Sequence, residues 1–333
     1  MGNVRQKDIA ERLGVSMTTV SRALNGSGRV KKETCQRVMQ LAQESHYMVN
    51  SLARSLRLSD TRTIGIVVPD ISNSFFANII KGAQGICHDR GYMLMVCNSD
   101  ENPLYEEGAL MALLEKQASG VIIASVGGSR ETVNGYRRAN IPVVYIDNVP
   151  SDAADYDLVS IDNYKAAYAL TQIVVKRGYR KIGMITGPRK QSSARMRYEG
   201  FINALSDAEI PNNADWIREG EFTLESGYAE MMGVLSLERR PAAMILSNNK
   251  LAYGAIRAIY EQGLKIPEDV AIASFDAIDG TGLVRPQIVS LNQPAEEIGR
   301  RACQMIIDKL TGESSGQERH VFLEPFLSEG DSL

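Results

Sequence analysis

Several features that would assign a protein class are missing from this 333-residue sequence. It has no apolar run near the roughly 18 residues that span a bilayer, and its start, MGNVRQKDIAERLG, lacks the apolar core of a secretory signal. The four cysteines form no CxxC pair, and the three histidines lie far apart in sequence. These absences argue against a membrane protein, a disulfide-stabilised secreted protein and a structural zinc site, so we expect a cytoplasmic protein without a metal.

Nucleotide-binding signatures are also missing. No G-x-G-x-x-G follows a predicted strand, and no P-loop lysine pattern is present. We therefore expect neither a dinucleotide enzyme nor an NTPase, and more generally no enzyme and no cofactor. What is present is a composition of 44% hydrophobic and 23% charged residues, which is typical of a globular chain with two or three well-formed cores.

Charge is unevenly distributed along the chain. Residues 1–62 hold eleven Lys or Arg against five Asp or Glu, whereas the remainder holds 26 basic and 35 acidic residues. A segment of formal charge +6 thus precedes a body of −9. This asymmetry predicts a nucleic-acid-binding head on an acidic body.

The stretch 7–25, KDIAERLGVSMTTVSRALN, carries two short helical patterns that meet at Gly14. Apolar residues recur at helical spacing on both sides of this glycine: Ile9, Ala10 and Leu13, then Val20, Ala23 and Leu24. Because glycine readily adopts a left-handed turn, the stretch predicts a helix-turn-helix.

The second helix of this motif presents a polar face. Ser16 stands at the N-cap position, and Thr18, Arg22 and Asn25 share the side opposite the apolar one. Hydroxyl, amide and guanidinium groups suit base edges and phosphates. The alternative is an ordinary solvent-facing side of a small helical subdomain.

Two further basic segments follow. A third helix is predicted over Lys32–Ser45, and Lys31 and Lys32 at its start either bind a phosphate or are ordinary exposed lysines. The amphipathic segment 50–58, NSLARSLRL, is too short to form a stable isolated helix. It is either a hinge that orders on DNA or an amphipathic linker.

From Thr63 onward, apolar runs of strand length alternate with helical patterns. The runs IGIVV, YMLMV, GVIIAS and PVVYID are followed after Asp157 by LVSI, KIGMIT, AAMILS and VAIASF. The alternation predicts two α/β lobes with parallel sheets of about four strands each. Ligands of such folds bind beyond the carboxyl ends of the strands, here between the lobes.

These motifs together resemble the lactose/galactose repressor family of bacterial transcription regulators. The segments that carry the resemblance are DIAERLGVSMTTVSRALNG, NSLARSL, IGIVVPDISNSFF, KIGMITGP, SSARMRYEGF, LSNNKLAYGAI, ASFD and RPQIVSLNQP. The resemblance implies a helix-turn-helix headpiece (1–48), a hinge helix and linker (49–62), and a two-lobed α/β core like that of periplasmic sugar-binding proteins (63–333). Within the core it implies lobes of 63–160 with 292–320, and of 161–291 with the C-terminal strand.

The resemblance also implies how the headpiece meets double-stranded operator DNA. Met17, Thr18 and Arg22 are expected to read bases. Leu56 is expected to be a minor-groove wedge, with Arg57 as a neighbouring groove contact. The residues expected to contact phosphate or support the recognition helix are Ser16, Ser21 and Asn25.

For the cleft, the resemblance implies eight effector-binding residues: Asn73, Phe75, Asp147, Arg197, Phe222, Asn248, Asp276 and Gln293. Their chemistry suits a polyol, because aromatic rings cover its apolar face and charged or amide groups hold its hydroxyls. Structural roles are the alternatives: either phenylalanine in the core, Asp276 as a loop cap, and Arg197 in a surface ion pair.

One position departs from the family pattern. Neutral-sugar binders of the family commonly have Asn-Asp where this chain has Asn248 and Asn249, followed by Lys250. Loss of an acid and gain of a base make the local potential less negative, which favours an acidic sugar or a sugar phosphate over a neutral sugar.

The resemblance further implies a homodimer that reads a pseudo-palindromic operator, since no leucine-rich C-terminal helix of the kind used by the family's tetramers is present. The main hypothesis is an effector-controlled repressor. Alternatives are a global carbon-catabolite regulator that binds a phosphorylated phosphocarrier protein, and a solute-binding receptor or sugar enzyme.

Operator binding by the headpiece is testable in a salt series. We expect a steep fall in affinity with salt, because neutralised phosphates release counterions. Arg22→Ala should cost about 1–3 kcal/mol of discrimination at one base pair, whereas Lys31→Ala should weaken specific and random DNA alike. Fluorescence anisotropy on both DNAs measures this, and equal loss of specificity in the two variants would contradict the assignment.

Overall fold

The computed structural model describes residues 5–24, 30–45, 61–127, 130–150, 153, 155–276, 285–313 and 320–333. The chain divides into two compact units, Met1–Asp60 and Thr61–Leu333. No helix within the described ranges is both long and apolar enough to cross a bilayer.

The N-terminal unit is a small helical bundle. Its helices are α1 (Gln6–Leu13), α2 (Met17–Leu24) and α3 (Lys32–Glu44), close to the predicted bounds. One apolar face of each helix contributes to a common core, whose buried members are Ile9, Ala10, Val20, Ala23, Val38 and Ala42. The amphipathic spacing in the sequence therefore accounts for the packing of all three helices.

The turn between α1 and α2 has the predicted chemistry. Gly14 ends α1 in the left-handed conformation, with a φ of 64°. Ser16 then caps α2, because its Oγ accepts a hydrogen bond of 3.1 Å from the backbone N–H of Thr19. The predicted helix-turn-helix is confirmed in this part of the chain.

The larger unit contains two parallel sheets, each flanked by helices. The first sheet has the strand order β11-β5-β4-β3-β1-β2. Its strands are β1 (Thr63–Val68), β2 (Met93–Asn98), β3 (Gly120–Ile123), β4 (Val143–Ile146), β5 (Asp157–Ser160) and β11 (His320–Phe322). Its helices are α4 (Ser74–Arg90), α5 (Pro103–Glu115), α6 (Arg130–Arg138) and α11 (Ala295–Thr311).

The second sheet has the order β12-β10-β9-β8-β6-β7, in which β12 runs antiparallel to β10 and the other described pairs are parallel. Its strands are β6 (Ile182–Thr186), β7 (Ile217–Glu219), β8 (Ala243–Leu246), β9 (Ala271–Phe275), β10 (Val289–Asn292) and β12 (Phe326–Ser328). Its helices are α7 (Asn163–Lys176), α8 (Ser192–Asp207), α9 (Leu224–Leu235) and α10 (Asn249–Glu261).

The prediction of about four strands per sheet is wrong, since six strands belong to each sheet within the described residues. Edge strands β7, β11 and β12 have three residues each, which is too short for an apolar run to stand out in the sequence. Helix α8 begins at Ser192, and its first turn is made mainly of small buried residues. The central strands were predictable because helices bury both of their faces.

Helices α4 and α11 lie unusually close together in the first lobe. A Cβ placed on Gly82 would lie 1.9 Å from the carbonyl oxygen of Glu296, and one on Gly299 would lie 1.9 Å from that of Ile79. No side chain fits at either position, so these glycines fix the spacing of the two helices. Helix α11 follows β10, which is a strand of the second lobe. The packing of α11 against α4 therefore anchors this connection between the lobes to the first lobe.

Gly82→Ala should lower the free energy of unfolding by about 2 kcal/mol or more, because the added methyl group forces two backbones apart. Gly108 is the matched control: it lies in the exposed face of α5, where a Cβ meets nothing within 4 Å. Gly108→Ala should instead stabilise by about 0.5–1 kcal/mol. Urea denaturation of the full chain measures both, and similar midpoints for the two variants would contradict this packing.

Candidate effector site and DNA-binding surface

A cleft between the two lobes forms where the carboxyl ends of both sheets face each other. Its cavity holds about 430 Å³ of space outside the protein atoms, part of which is open to solvent. All eight residues predicted for the effector site line this one cavity: Asn73, Phe75, Asp147, Arg197, Phe222, Asn248, Asp276 and Gln293. Residues that the sequence did not single out line it too, namely Pro69, Asp70, Phe76, Glu101, Asn148, Gln191 and Ser193.

Three acidic residues of the cavity have left-handed backbone conformations. Asp147 and Asp276 directly follow β4 and β9, with φ of 56° and 65°, and Glu101 lies just after β2 with φ of 54°. Residues other than glycine rarely adopt such angles, and each costs about 1–3 kcal/mol unless the surroundings compensate. The strand ends therefore turn sharply at the points where these carboxylates line the cavity.

Arg197 of α8 is the central cation of the site. It is 2% exposed, so the alternative of a surface ion pair is wrong. Its Nε donates to Asn163 Oδ1 at 2.8 Å, its Nη1 donates to the Ser247 carbonyl, and its guanidinium lies 4.2 Å from the centre of the Phe275 ring. These contacts hold the guanidinium in one orientation, as a binding residue requires.

Two carboxylates interact with this guanidinium from different lobes. Asp147 Oδ1 lies 3.9 Å from Arg197 Nη2. Burial raises the pKa of Asp147 to about 6, Arg197 opposes the rise, and the negative charge of Asp276 adds to it. Burial likewise raises the pKa of Asp276, while Arg197 and hydrogen bonds from Gln293 counteract it. One buried cation thus offsets two buried acids.

Glu101 has no cation beside it among the described groups. Its Oε2 accepts a hydrogen bond of 3.2 Å from Gln191 Nε2. Burial raises its pKa to about 7, and the charges of Asp147, Glu221 and Asp70 add to the rise against that hydrogen bond. In the sequence, the position of Glu101 after a predicted strand was the feature that could have indicated a role in the cleft. The polar run NSDEN, however, does not show which of its side chains points into the cavity.

Two buried polar atoms of the cavity have no hydrogen-bond partner in the described part of the chain. They are Nη2 of Arg197 and Oε1 of Gln293, whose residues are 2% and 6% exposed. The first needs an acceptor and the second needs a donor. Because buried polar groups are nearly always paired, these atoms point to a ligand with both kinds of group.

The rim of the cleft carries hydrogen bonds from one lobe to the other. Asn148 Nδ2 donates to Gln191 Oε1 at 3.0 Å, and Asn148 Oδ1 accepts from the backbone N–H of Ser193 at 2.9 Å. On another part of the rim, Asn249 Nδ2 donates to Asn73 Oδ1 at 2.9 Å. The two lobes are therefore in direct polar contact around the cavity.

Lys250 belongs to the rim and not to the cavity lining. Its Nζ lies 3.0 Å from Asp70 Oδ2 and donates to Ser72 Oγ at 3.0 Å. Burial opposes ionisation of Asp70, but hydrogen bonds from Ser72 and Lys250 outweigh it and keep the pKa of Asp70 below its ordinary value. The expectation of an acidic sugar or sugar phosphate is not supported, because this lysine is already paired and the lining is acidic.

The remaining predicted residues combine structural and lining roles. Phe75 belongs to the first lobe's core and packs edge-on against Phe76 at 5.0 Å, while Phe222 covers Gly187. Asn73 and Asn248 cap α4 and α10 by accepting from backbone N–H groups. These side chains thus belong to the fold and also border the cavity.

In the helix-turn-helix, α2 presents an exposed polar surface. Met17 is 55% exposed, Thr18 and Arg22 are exposed, and Ser21 is half-buried. Lys31 and Lys32 are exposed at the start of α3. Three residues predicted to contact DNA, namely Asn25, Leu56 and Arg57, lie outside the described residues.

Comparisons with known proteins assign the family of both units. A family profile described as "Bacterial regulatory proteins, lacI family" matches residues 6–50, and one described as "Periplasmic binding proteins and sugar binding domain of LacI family" matches residues 61–325. The chain belongs to the LacI family. It is 32% identical over 308 residues to the HTH-type transcriptional repressor PurR of Edwardsiella ictaluri (strain 93-146), covering 92% of this chain and 90% of the relative.

Solved structures agree with this LacI-family fold. The lac repressor dimer bound to operator and the anti-inducer ONPF matches with a TM-score of 0.87 at 23% identity, over 99% of both chains. The transcriptional regulator CelR in complex with cellobiose matches with a TM-score of 0.74 at 26% identity, also over 99% of both chains. The predicted fold class, a helical headpiece followed by a two-lobed α/β core, is confirmed. This LacI-family chain is a DNA-binding transcriptional regulator with an effector-binding core.

The ionisation of Glu101 predicts a pH-dependent stability. A carboxyl with a folded-state pKa of about 7 binds its proton more tightly in the folded protein than in the unfolded chain, where the pKa is near 4.3. Stability is therefore lost as pH rises from about 4 to about 7, and the loss is complete above that window.

Glu101→Gln removes this penalty and should stabilise the protein by about 1–3 kcal/mol at pH 8, with little change at pH 4. The exposed neighbour Asp100 provides the matched control, and Asp100→Asn should have no such pH-dependent effect. Urea denaturation at pH 4 and pH 8 measures the free energy of unfolding of the parent and of both variants. A variant that is less stable than the parent at pH 8 would refute the assignment of Glu101.

Proposed function

We propose that this LacI-family protein is a repressor whose operator affinity is set by a small polyhydroxylated effector bound between the core lobes. The observation that carries this is the cavity that Asp147, Arg197, Asp276 and Gln293 line from both lobes. A ligand that touches both lobes binds their closed arrangement more tightly than the open one, and so shifts the equilibrium between them. The protein acts in the cytoplasm, where operator DNA lies, and has no catalytic role.

The lining suits hydroxyl groups. Carboxylates of Asp147 and Asp276 accept from them, and Arg197 Nη2 donates to them. The rings of Phe75 and Phe222 border the same cavity and can cover an apolar face. A similar regulator, CelR, is seen in complex with cellobiose, which supports a sugar-like effector here.

We further propose that the protein binds its operator as a dimer through residues of α2. In this proposal Thr18 and Arg22 read bases, Met17 contacts a thymine methyl, and Ser16 and Ser21 support the helix or contact phosphate. Edge strand β2 and helix α5, which contact each other, expose Met93, Val96, Leu104 and Met111. Large exposed apolar side chains of this kind favour a protein–protein interface.

Linkage constrains this mechanism. If the effector changes operator affinity by some factor, operator DNA must change effector affinity by the same factor. The direction, induction or co-repression, follows from whether the closed core favours or disfavours the DNA-bound dimer. Measuring both affinities on one preparation tests the mechanism whichever sign the coupling has.

Asp276→Asn separates effector sensing from DNA binding. It should weaken an effector found by a thermal-shift screen of sugars at least tenfold, because a buried charge-assisted acceptor worth about 1.5–3 kcal/mol is lost. Operator affinity without effector should change less than twofold. Anisotropy on operator DNA, with and without the sugar, measures both, and the exposed Asp215→Asn is the control. Full effector response in Asp276→Asn would contradict the assigned cleft.

A further inference from the structure

The charges that border the effector cleft are not balanced. Four carboxylates line it, and Asp70 is neutralised by Lys250 on the rim. Of the other three, Asp147 and Asp276 share the guanidinium of Arg197. Glu101 accepts a hydrogen bond from the Gln191 amide. The negative charges of Asp147, Glu221 and Asp70 repel its carboxylate.

Such an arrangement is unfavourable unless something supplies positive charge. Glu101 is half-buried, and a carboxylate in such a position among other carboxylates is destabilised by partial desolvation and by repulsion together. The pKa of Glu101, raised to about 7, expresses this cost. A cation bound in the cavity would remove the repulsion and keep Glu101 ionised.

The unpartnered atoms restrict what that cation can be. Gln293 Oε1 needs a donor, which an ammonium or a hydroxyl provides, whereas Arg197 Nη2 needs an acceptor, which an ammonium cannot provide. In addition, no three of the described His, Cys, Asp and Glu side chains are arranged to hold a metal ion. A ligand that satisfies these two atoms and also neutralises an ionised Glu101 combines positive charge with hydroxyl or ether oxygens.

We infer that the effector is a cationic amino-polyol, such as an amino sugar, whose ammonium group binds at Glu101 while its hydroxyls engage Arg197 and Gln293. This inference rests on the proposed effector cleft. It replaces the anionic effector expected from Lys250 with a ligand of the opposite charge. It also gives Glu101, which the general polyol site does not need, a direct role in specificity.

A neutral sugar with a protonated Glu101 as hydrogen-bond donor is the competing arrangement, and the two predict opposite pH dependence. An ammonium binds more weakly as pH falls from 7.5 to 5.5, because Glu101 and then Asp147 lose their negative charge. A neutral sugar that needs the protonated carboxyl binds more tightly over the same change. Binding that strengthens as pH falls therefore excludes the ammonium ligand, whereas binding that weakens leaves the comparison of each amine with its hydroxyl partner to establish the charge.

The test uses the full chain and ligands matched in stereochemistry. Thermal shift and calorimetry at pH 7.5 compare glucose with glucosamine, galactose with galactosamine, and sorbitol with glucamine, with glucuronate and galacturonate as anionic probes. We expect at least one amine to bind tenfold or more tightly than its hydroxyl partner, and no shift with either uronate. Glu101→Gln should weaken that amine at least tenfold and its hydroxyl partner less than twofold, and Asp100→Asn should change neither.

The outcomes separate this inference from the proposed function. If a neutral or anionic member binds as tightly as its amine partner, or if binding strengthens as pH falls, the cationic effector is ruled out and the effector cleft stands. If no member of the set stabilises the protein and none changes operator affinity, the cationic effector and the sugar-like effector of the proposed function are both overturned.

Discussion

The core of this protein depends on one buried guanidinium. Arg197 reaches from α8 to Asn163 and Ser247 within its own lobe and faces Asp147 of the other lobe. A charge at this depth is tolerated only when it is hydrogen-bonded and offset by opposite charge. The acids that offset it follow strand ends of both lobes, so the electrostatics of one side chain require the lobes to face each other. The cavity lies where these acids and Arg197 face each other.

The sequence predicted much of this arrangement, for identifiable reasons. Central strands such as β6 and β9 are continuous apolar runs because both of their faces are buried, and polar residues directly after such runs must meet at one edge of a sheet. Asp147 and Asp276 were found in this way together with the family resemblance. Gly14 and Ser16 similarly marked a turn and a cap whose chemistry is local.

What the sequence did not predict depends on contacts between distant segments. Lys250 looked like a free base beside the cleft, and only its meeting with Asp70 and Ser72 of the other lobe shows that its charge is already neutralised. Glu101 sits in a polar run where several residues were equally plausible, and its place in the cavity follows from a left-handed backbone after β2. Such pairings between segments far apart in the chain leave no local pattern.

The close contact of α4 and α11 has a mechanical consequence. Both helices start at the cleft, α4 after Asn73 and α11 just after Gln293, and the glycines between them leave no room for sliding. Shear within the first lobe is therefore blocked, and any opening of the cleft must be a hinge rotation in the segments that cross between the sheets. Residues that line the cavity can therefore be substituted to bind a different ligand, while the hinge axis about which the two lobes rotate stays the same.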